Sequence, residues 1–143
     1  MSSKEFEYLE HTADVYIVAY GKDLNEAFEN AAKAMFNVMT DIDKVVPSVK
    51  REINAEGVDL EQLLYNWLEN LLILFDTDGL VFSRFKVSIQ KKDDHYVLKG
   101  EAWGEPFNPS KHPSKTEVKA VTYSLMEIHD EKGNSYVKFV LDI

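Results

Sequence analysis

Apolar residues change their period along the chain, and the changes mark its elements. Phe6-Glu7-Tyr8 and then Val15-Tyr16-Ile17-Val18-Ala19-Tyr20 are β-branched and aromatic, as strands prefer, and Gly21 ends them. Asp23 then offers a helix cap, with Glu26 three residues on as its reciprocal partner. Leu24, Ala27, Phe28, Ala31, Ala32, Met35 and Phe36 follow at spacings of three and four, one stripe made for docking on a sheet. After a strand expected around Val49 to Ala55, the design returns. Asp59 and Gln62 form the second capping pair. Leu60, Leu63, Leu64, Trp67, Leu68, Leu71, Leu72 and Phe75 make a denser stripe, which Ile73 and Leu74 widen. This predicts the more buried helix, stopped by Asp76-Thr77-Asp78-Gly79.

From Leu80 onward the pattern is that of strands. Val81 to Ile89 and Tyr96 to Trp103 flank the turn Lys91-Lys92-Asp93-Asp94, predicting a hairpin. Pro106, Pro109 and Pro113 mark Gly104 to Pro113 as a loop. Glu117 to His129 and Ser135 to Asp142 are both strand-like, and Asp130-Glu131-Lys132-Gly133-Asn134 joins them as a hairpin turn. The economical architecture is α+β: a two-layer single domain over residues 1–143. Its two amphipathic helices pack on one face of a mostly antiparallel sheet.

Length and composition narrow the classes. A chain of 143 residues can bury one ordinary core without staples. The absence of cysteine excludes disulfides, zinc–thiolate sites, iron–sulfur ligation and thiol catalysis. Met1 to Glu5 lacks the basic and apolar segments of a signal peptide. The longest apolar run, Leu71 to Phe75, is far short of the roughly 20 residues of a membrane span. A soluble cytoplasmic protein without membrane association is expected. Its net charge of −9, from 25 acidic and 16 basic residues, repels phosphate backbones. No extended nucleic-acid binding is therefore expected. The charge suits solubility, a cation site or a basic partner, and a partner rather than this chain would hold RNA.

Three segments could carry chemistry. Glu10-His11-Thr12-Ala13-Asp14 packs an imidazole and two carboxylates beside a strand, but an extended backbone aims His11 and Asp14 to opposite sides. Such a segment also serves as a polar turn, with Asp14 bonding nearby amides. Leu141-Asp142-Ile143 brings the Asp142 side chain within one residue of a main-chain carboxylate. Sheet pairing could set Asp14 beside both. Clustered carboxylates call for a cation or a proton, and an all-oxygen set suits calcium, magnesium or manganese better than zinc. The other reading is a solvated terminus. His112-Pro113-Ser114-Lys115-Thr116-Glu117-Val118-Lys119 is a basic island, either a solvated turn or a patch facing an anionic partner, with Trp103 and Phe107 as nearby apolar anchors. No P-loop, dinucleotide glycine motif, H-E-x-x-H, G-x-S-x-G or EF-hand pattern is present.

Taken together, the chain resembles the archease family. The matching segments are Tyr8-Leu9-Glu10-His11-Thr12-Ala13-Asp14, Gly57 to Leu68, Lys119-Ala120-Val121-Thr122-Tyr123 and Leu141-Asp142-Ile143. They span nearly the whole chain in the family's order. The resemblance implies a protein cofactor of the RtcB-type RNA ligase of tRNA splicing. Such a cofactor accelerates GTP-dependent guanylylation of the ligase's histidine and enables multiple turnover. It also implies a divalent-metal site of Asp14, Asp142 and the Ile143 carboxylate, with calcium the expected ion and magnesium or manganese the alternatives. His11, His112, Lys115 and Lys119 are candidate partner contacts. The competing functions are a small metal-dependent hydrolase or nuclease using Asp14, Asp142 and His11, and a general chaperone or adaptor.

Overall fold

Both helices begin where their capping pairs predict. The Asp23 carboxylate accepts from the Glu26 N–H at 2.9 Å, and the Glu26 carboxylate accepts in return from the Lys22 N–H at 2.9 Å. Asp59 and Gln62 repeat the pattern at 2.8 Å, with the Gln62 side chain accepting from the Val58 N–H at 2.8 Å. These bonds occupy N–H groups that a helix start leaves without partners. α1 spans Leu24–Met39 and α2 spans Leu60–Asp78. Gly79, at φ 67°, ends α2 in the left-handed region that favours glycine, its N–H on the Phe75 carbonyl.

The computed structural model describes residues 4–10 and 13–143. Its strands are β1 (Phe6–Leu9), β2 (Val15–Gly21), β3 (Val49–Gly57), β4 (Leu80–Lys91), β5 (Tyr96–Pro106), β6 (Ala120–Val121), β7 (Glu127–His129) and β8 (Ser135–Asp142). The expected α+β architecture is present, and these strands pair antiparallel throughout. They are shared between two sheets. One runs β1-β2-β8-β6, with β7 also on β8; the other runs β3-β5-β4. α1 packs against β2, β8 and β4, so it links the two sheets, while α2 lies on β3 and β5.

Burial follows from this arrangement. Phe28, Phe36, Trp67, Phe82 and Phe139 are enclosed among the helices and both sheets. The Trp67 indole N–H donates to the Phe28 carbonyl at 3.0 Å, tying the helices together. Polar side chains of the helices also reach the outer strands of the smaller sheet. Glu29 and Asn25 accept from the Val87 and Ile89 N–H groups of β4, both at 2.9 Å. Asn66 and Asn70 donate to the Glu56 and Asn54 carbonyls of β3, at 2.7 and 3.2 Å.

The expected strand from Glu117 to His129 is broken. Of this segment only β6 and β7 pair with β8, and between them Leu125 sits at φ 55° while the Met126 N–H closes a turn on the Tyr123 carbonyl at 3.2 Å. Tyr123 stacks on Tyr65 of α2 with ring centroids 4.5 Å apart, a contact that draws the segment off the sheet and onto the helix. No helix among the described residues is long and apolar enough to cross a membrane.

Candidate metal and partner-binding site

Strand pairing brings together the two segments that carry the candidate carboxylates, from opposite ends of the chain. β2 and β8 pair from Gly21↔Ser135 to Val15↔Leu141. Asp14 directly precedes Val15, and Asp142 directly follows Leu141, the last pair of that register. Ile143 follows directly. On the other side of β8, Asp142 pairs with Ala120, and its carbonyl accepts from the Lys119 N–H at 2.7 Å. Asp142 is exposed, and Asp14 and Ile143 are partly so. The donor set is therefore all oxygen, at an accessible sheet end, and it fits a hard cation. Among the described residues, no three or more His, Cys, Asp or Glu side chains are grouped as a metal would need. The expected set has two such side chains, Asp14 and Asp142. His11 lies outside the described residues.

The basic island divides differently from the expectation. His112 is buried, and both of its ring nitrogens are engaged. Nδ1 accepts from the Asn108 N–H at 2.9 Å, which leaves the ring hydrogen on Nε2 to donate to Glu105 at 2.9 Å. The ring fastens its own loop and is not presented to a partner. Lys115 is committed as well. Its ammonium donates to the Asn37 carbonyl at 2.5 Å and its N–H to the Met39 carbonyl at 3.0 Å. The Thr116 N–H takes the Val38 carbonyl at 3.1 Å, and the Thr40 N–H takes that of Phe36 at 2.9 Å. Every carbonyl of the last turn of α1 thus has a donor. Lys119, by contrast, is exposed beside Asp142. Phe107 packs edge-on to Phe75, whereas Trp103 lies on the outer face of the smaller sheet.

Glu105 is the residue the sequence reading missed. Its carboxylate accepts from the Lys111 ammonium, from the Val46 N–H at 2.8 Å and from the His112 ring. Lys111 most strongly, then the Val46 amide and His112, hold its carboxyl down to about 2. Because the folded value lies below the ordinary one, this anchor stabilises fully above about pH 4.5. It is lost as pH falls toward about 2. Glu105→Gln is expected to flatten that part of the pH–stability curve in acid denaturation followed by circular dichroism. An unchanged curve would remove Glu105 as the anchor. The sequence signal available was a carboxylate seven residues before a histidine in a proline-rich loop.

The fold and these sheet-end carboxylates define a small α+β protein with a candidate oxygen-ligand site built from strand ends. The model of the archease protein family (MTH1598/TM1083) matches residues 6–143. The "Protein archease" of Sulfurisphaera tokodaii is 53% identical over 141 residues, covering 98% of this chain and 99% of its own. That of Pyrococcus furiosus is 51% identical over 125 residues, covering 87% and 88%. The solution structure of Methanobacterium thermoautotrophicum protein 1598 is similar, with a TM-score of 0.85 at 46% identity over 97% of this chain and 99% of that one. The chain belongs to the archease family.

Proposed function

We propose that this protein is an activator of an RtcB-type RNA ligase. It accelerates guanylylation of the ligase's histidine by GTP and lets the ligase turn over repeatedly, with no turnover of its own. Family membership supports the reading. The observation that supports the site is the β2–β8 pairing, whose last pair, Val15↔Leu141, is flanked by Asp14 and Asp142. In this reading those carboxylates hold a hard divalent cation, with calcium the first candidate and magnesium or manganese the others. The ion supplies positive charge that offsets clustered carboxylates. The chain's own residues fix the ends of β2 and β8 as the rigid tip that meets the ligase, and Lys119 borders that tip.

The test is labelling of the cognate ligase by radioactive GTP, with and without this protein and with Asp142→Ala. Faster labelling with the wild type but not the variant is expected. Acceleration by both moves the site toward Lys119. No acceleration by the folded wild type overturns the activator role.

A further inference from the structure

The outer face of the β3-β5-β4 sheet is covered by neither helix. Both helices and the core contact it from the other side, where Ile53, Ala55, Leu98, Ala102, Phe85 and Val87 are buried. Strand register arranges the outward residues in cross-strand rows. Lys50, Trp103 and Arg84 form the first row, Glu52, Glu101 and Lys86 the second, and Asn54, Lys99 and Ser88 the third. In a chain of net charge −9, these rows carry four basic and two acidic side chains. One acidic group is already neutralised, since Glu101 pairs with Lys50 at 2.6 Å. Arg84, Lys86 and Lys99 are in no ion pair among the described residues. The next row, Glu56, Val97 and Gln90, adds a third acidic group, so the face is close to balanced in a chain that is strongly acidic overall.

Trp103 makes this face more than a solvated sheet surface. It sits on the central strand, with the Arg84 guanidinium 4.9 Å and the Lys50 ammonium 5.9 Å from its ring centroid. An aromatic side chain with guanidinium and ammonium groups around it is the pairing that base stacking and phosphate contact require of one surface. Beside it lies an open depression of roughly 420 Å³, lined by Glu52, Asn54, Lys86, Ser88, Lys99 and Glu101. Asn54, Ser88 and Glu52 supply donors and acceptors there, among the cations, where a ribose hydroxyl could be matched.

We infer that this face is a docking platform for a short segment of single-stranded RNA. A base stacks against the Trp103–Arg84 pair, and Arg84, Lys86 and Lys99 meet the phosphates. An acidic protein segment satisfies the cations but makes no use of the half-buried indole beside them, so RNA is the better fit. The inference does not rest on the ligase reading, because the face belongs to the other sheet from Asp14 and Asp142.

Trp103 is its own reporter, since the chain's other tryptophan, Trp67, is fully buried. The full chain is titrated with a uridine oligomer of about 10 nucleotides, within the length one such surface spans, while tryptophan emission is followed. Quenching is expected, with affinity in the range of about 10–100 µM at low salt. With three phosphate contacts, binding should weaken about 20-fold between about 50 and about 200 mM salt. Lys86→Glu with Lys99→Glu should weaken it at least about tenfold with an unchanged melting temperature, as both side chains are exposed. No quenching by about 100 µM oligomer at low salt overturns the proposal. So does equal quenching of the double variant. Equal binding of a poly-glutamate peptide reassigns the face to an acidic protein, and equal binding of a thymidine oligomer removes the preference for RNA.

Discussion

Gly104→Ala is expected to lower the melting temperature by more than about 10 °C, although it adds a single methyl group. A Cβ at Gly104 would lie 1.8 Å from the Val81 carbonyl oxygen and 2.7 Å from the Phe82 Cα. Both are backbone atoms of β4, held where its register shifts between Phe82 and Arg84. They cannot turn aside as a side chain can, so β4 must move off β5. Overpacking typically costs about 1–3 kcal/mol, and a clash against a hydrogen-bonded strand belongs at or above the top of that range. Gly79→Ala is the contrast. Gly79 has a left-handed φ of 67° but nothing within 4 Å of the added Cβ, so only backbone strain of about 1 kcal/mol is expected. Thermal melts of the two variants should therefore separate clearly. A Gly104→Ala protein melting as high as Gly79→Ala would show that the bulge adapts, and would sink the close-approach argument.

Trp67→Ala should remove about 3–5 kcal/mol, the usual cost of deleting a buried aromatic ring. That is a large part of the roughly 5–15 kcal/mol that holds a domain together. The side chain is fully enclosed and bonded to the Phe28 carbonyl, so its loss opens a cavity and unties the helices. Urea unfolding followed by circular dichroism would measure this. A companion variant gives a sharper outcome. A Cβ at Gly100 would lie 2.4 Å from the Trp67 ring, so Gly100→Ala should be destabilising alone. In the Trp67→Ala background the ring is gone and the same methyl enters the cavity, so its cost should shrink or reverse sign. Residues in contact couple by about 0.5–3 kcal/mol in such a cycle. Simple additivity would mean that Gly100 is not the floor of the Trp67 site.

What could be read from the sequence was local. The caps at Asp23 and Asp59 and the Gly79 stop depend on residues a few positions apart, and each is found in place. The expected order of burial is reversed: α1, held between the two sheets, buries 11 of its 16 residues, and α2 buries 6 of its 19, with Ile73 exposed. The division of the strands into two sheets depends on pairings such as Val15↔Leu141, which no local period encodes. The break at Leu125 was hidden because a left-handed residue without glycine carries no signature. His112 and Lys115 read as surface groups because prolines and polar residues surround them. Their partners are the carboxylate of Glu105 and the end of α1, and the latter lies 78 residues back along the chain. For the candidate site, the sequence named Asp14 and Asp142 as residues that pairing could bring together. Only the β2–β8 pairing shows that their two segments end side by side, at Val15↔Leu141. The cation face escaped notice because a net charge of −9 averages over a surface whose signs are segregated.

The helix side chains bonded to β3 and β4 have a consequence for the protein in a crowded solution. A three-stranded sheet with open flanks is a template on which another extended chain can add a strand. Here Asn66 and Asn70 occupy carbonyls on one flank, and Asn25 and Glu29 occupy amides on the other. The sheet is thus kept from growing sideways. Visitors are directed to its broad outer surface, where contact is made by side chains and can be released.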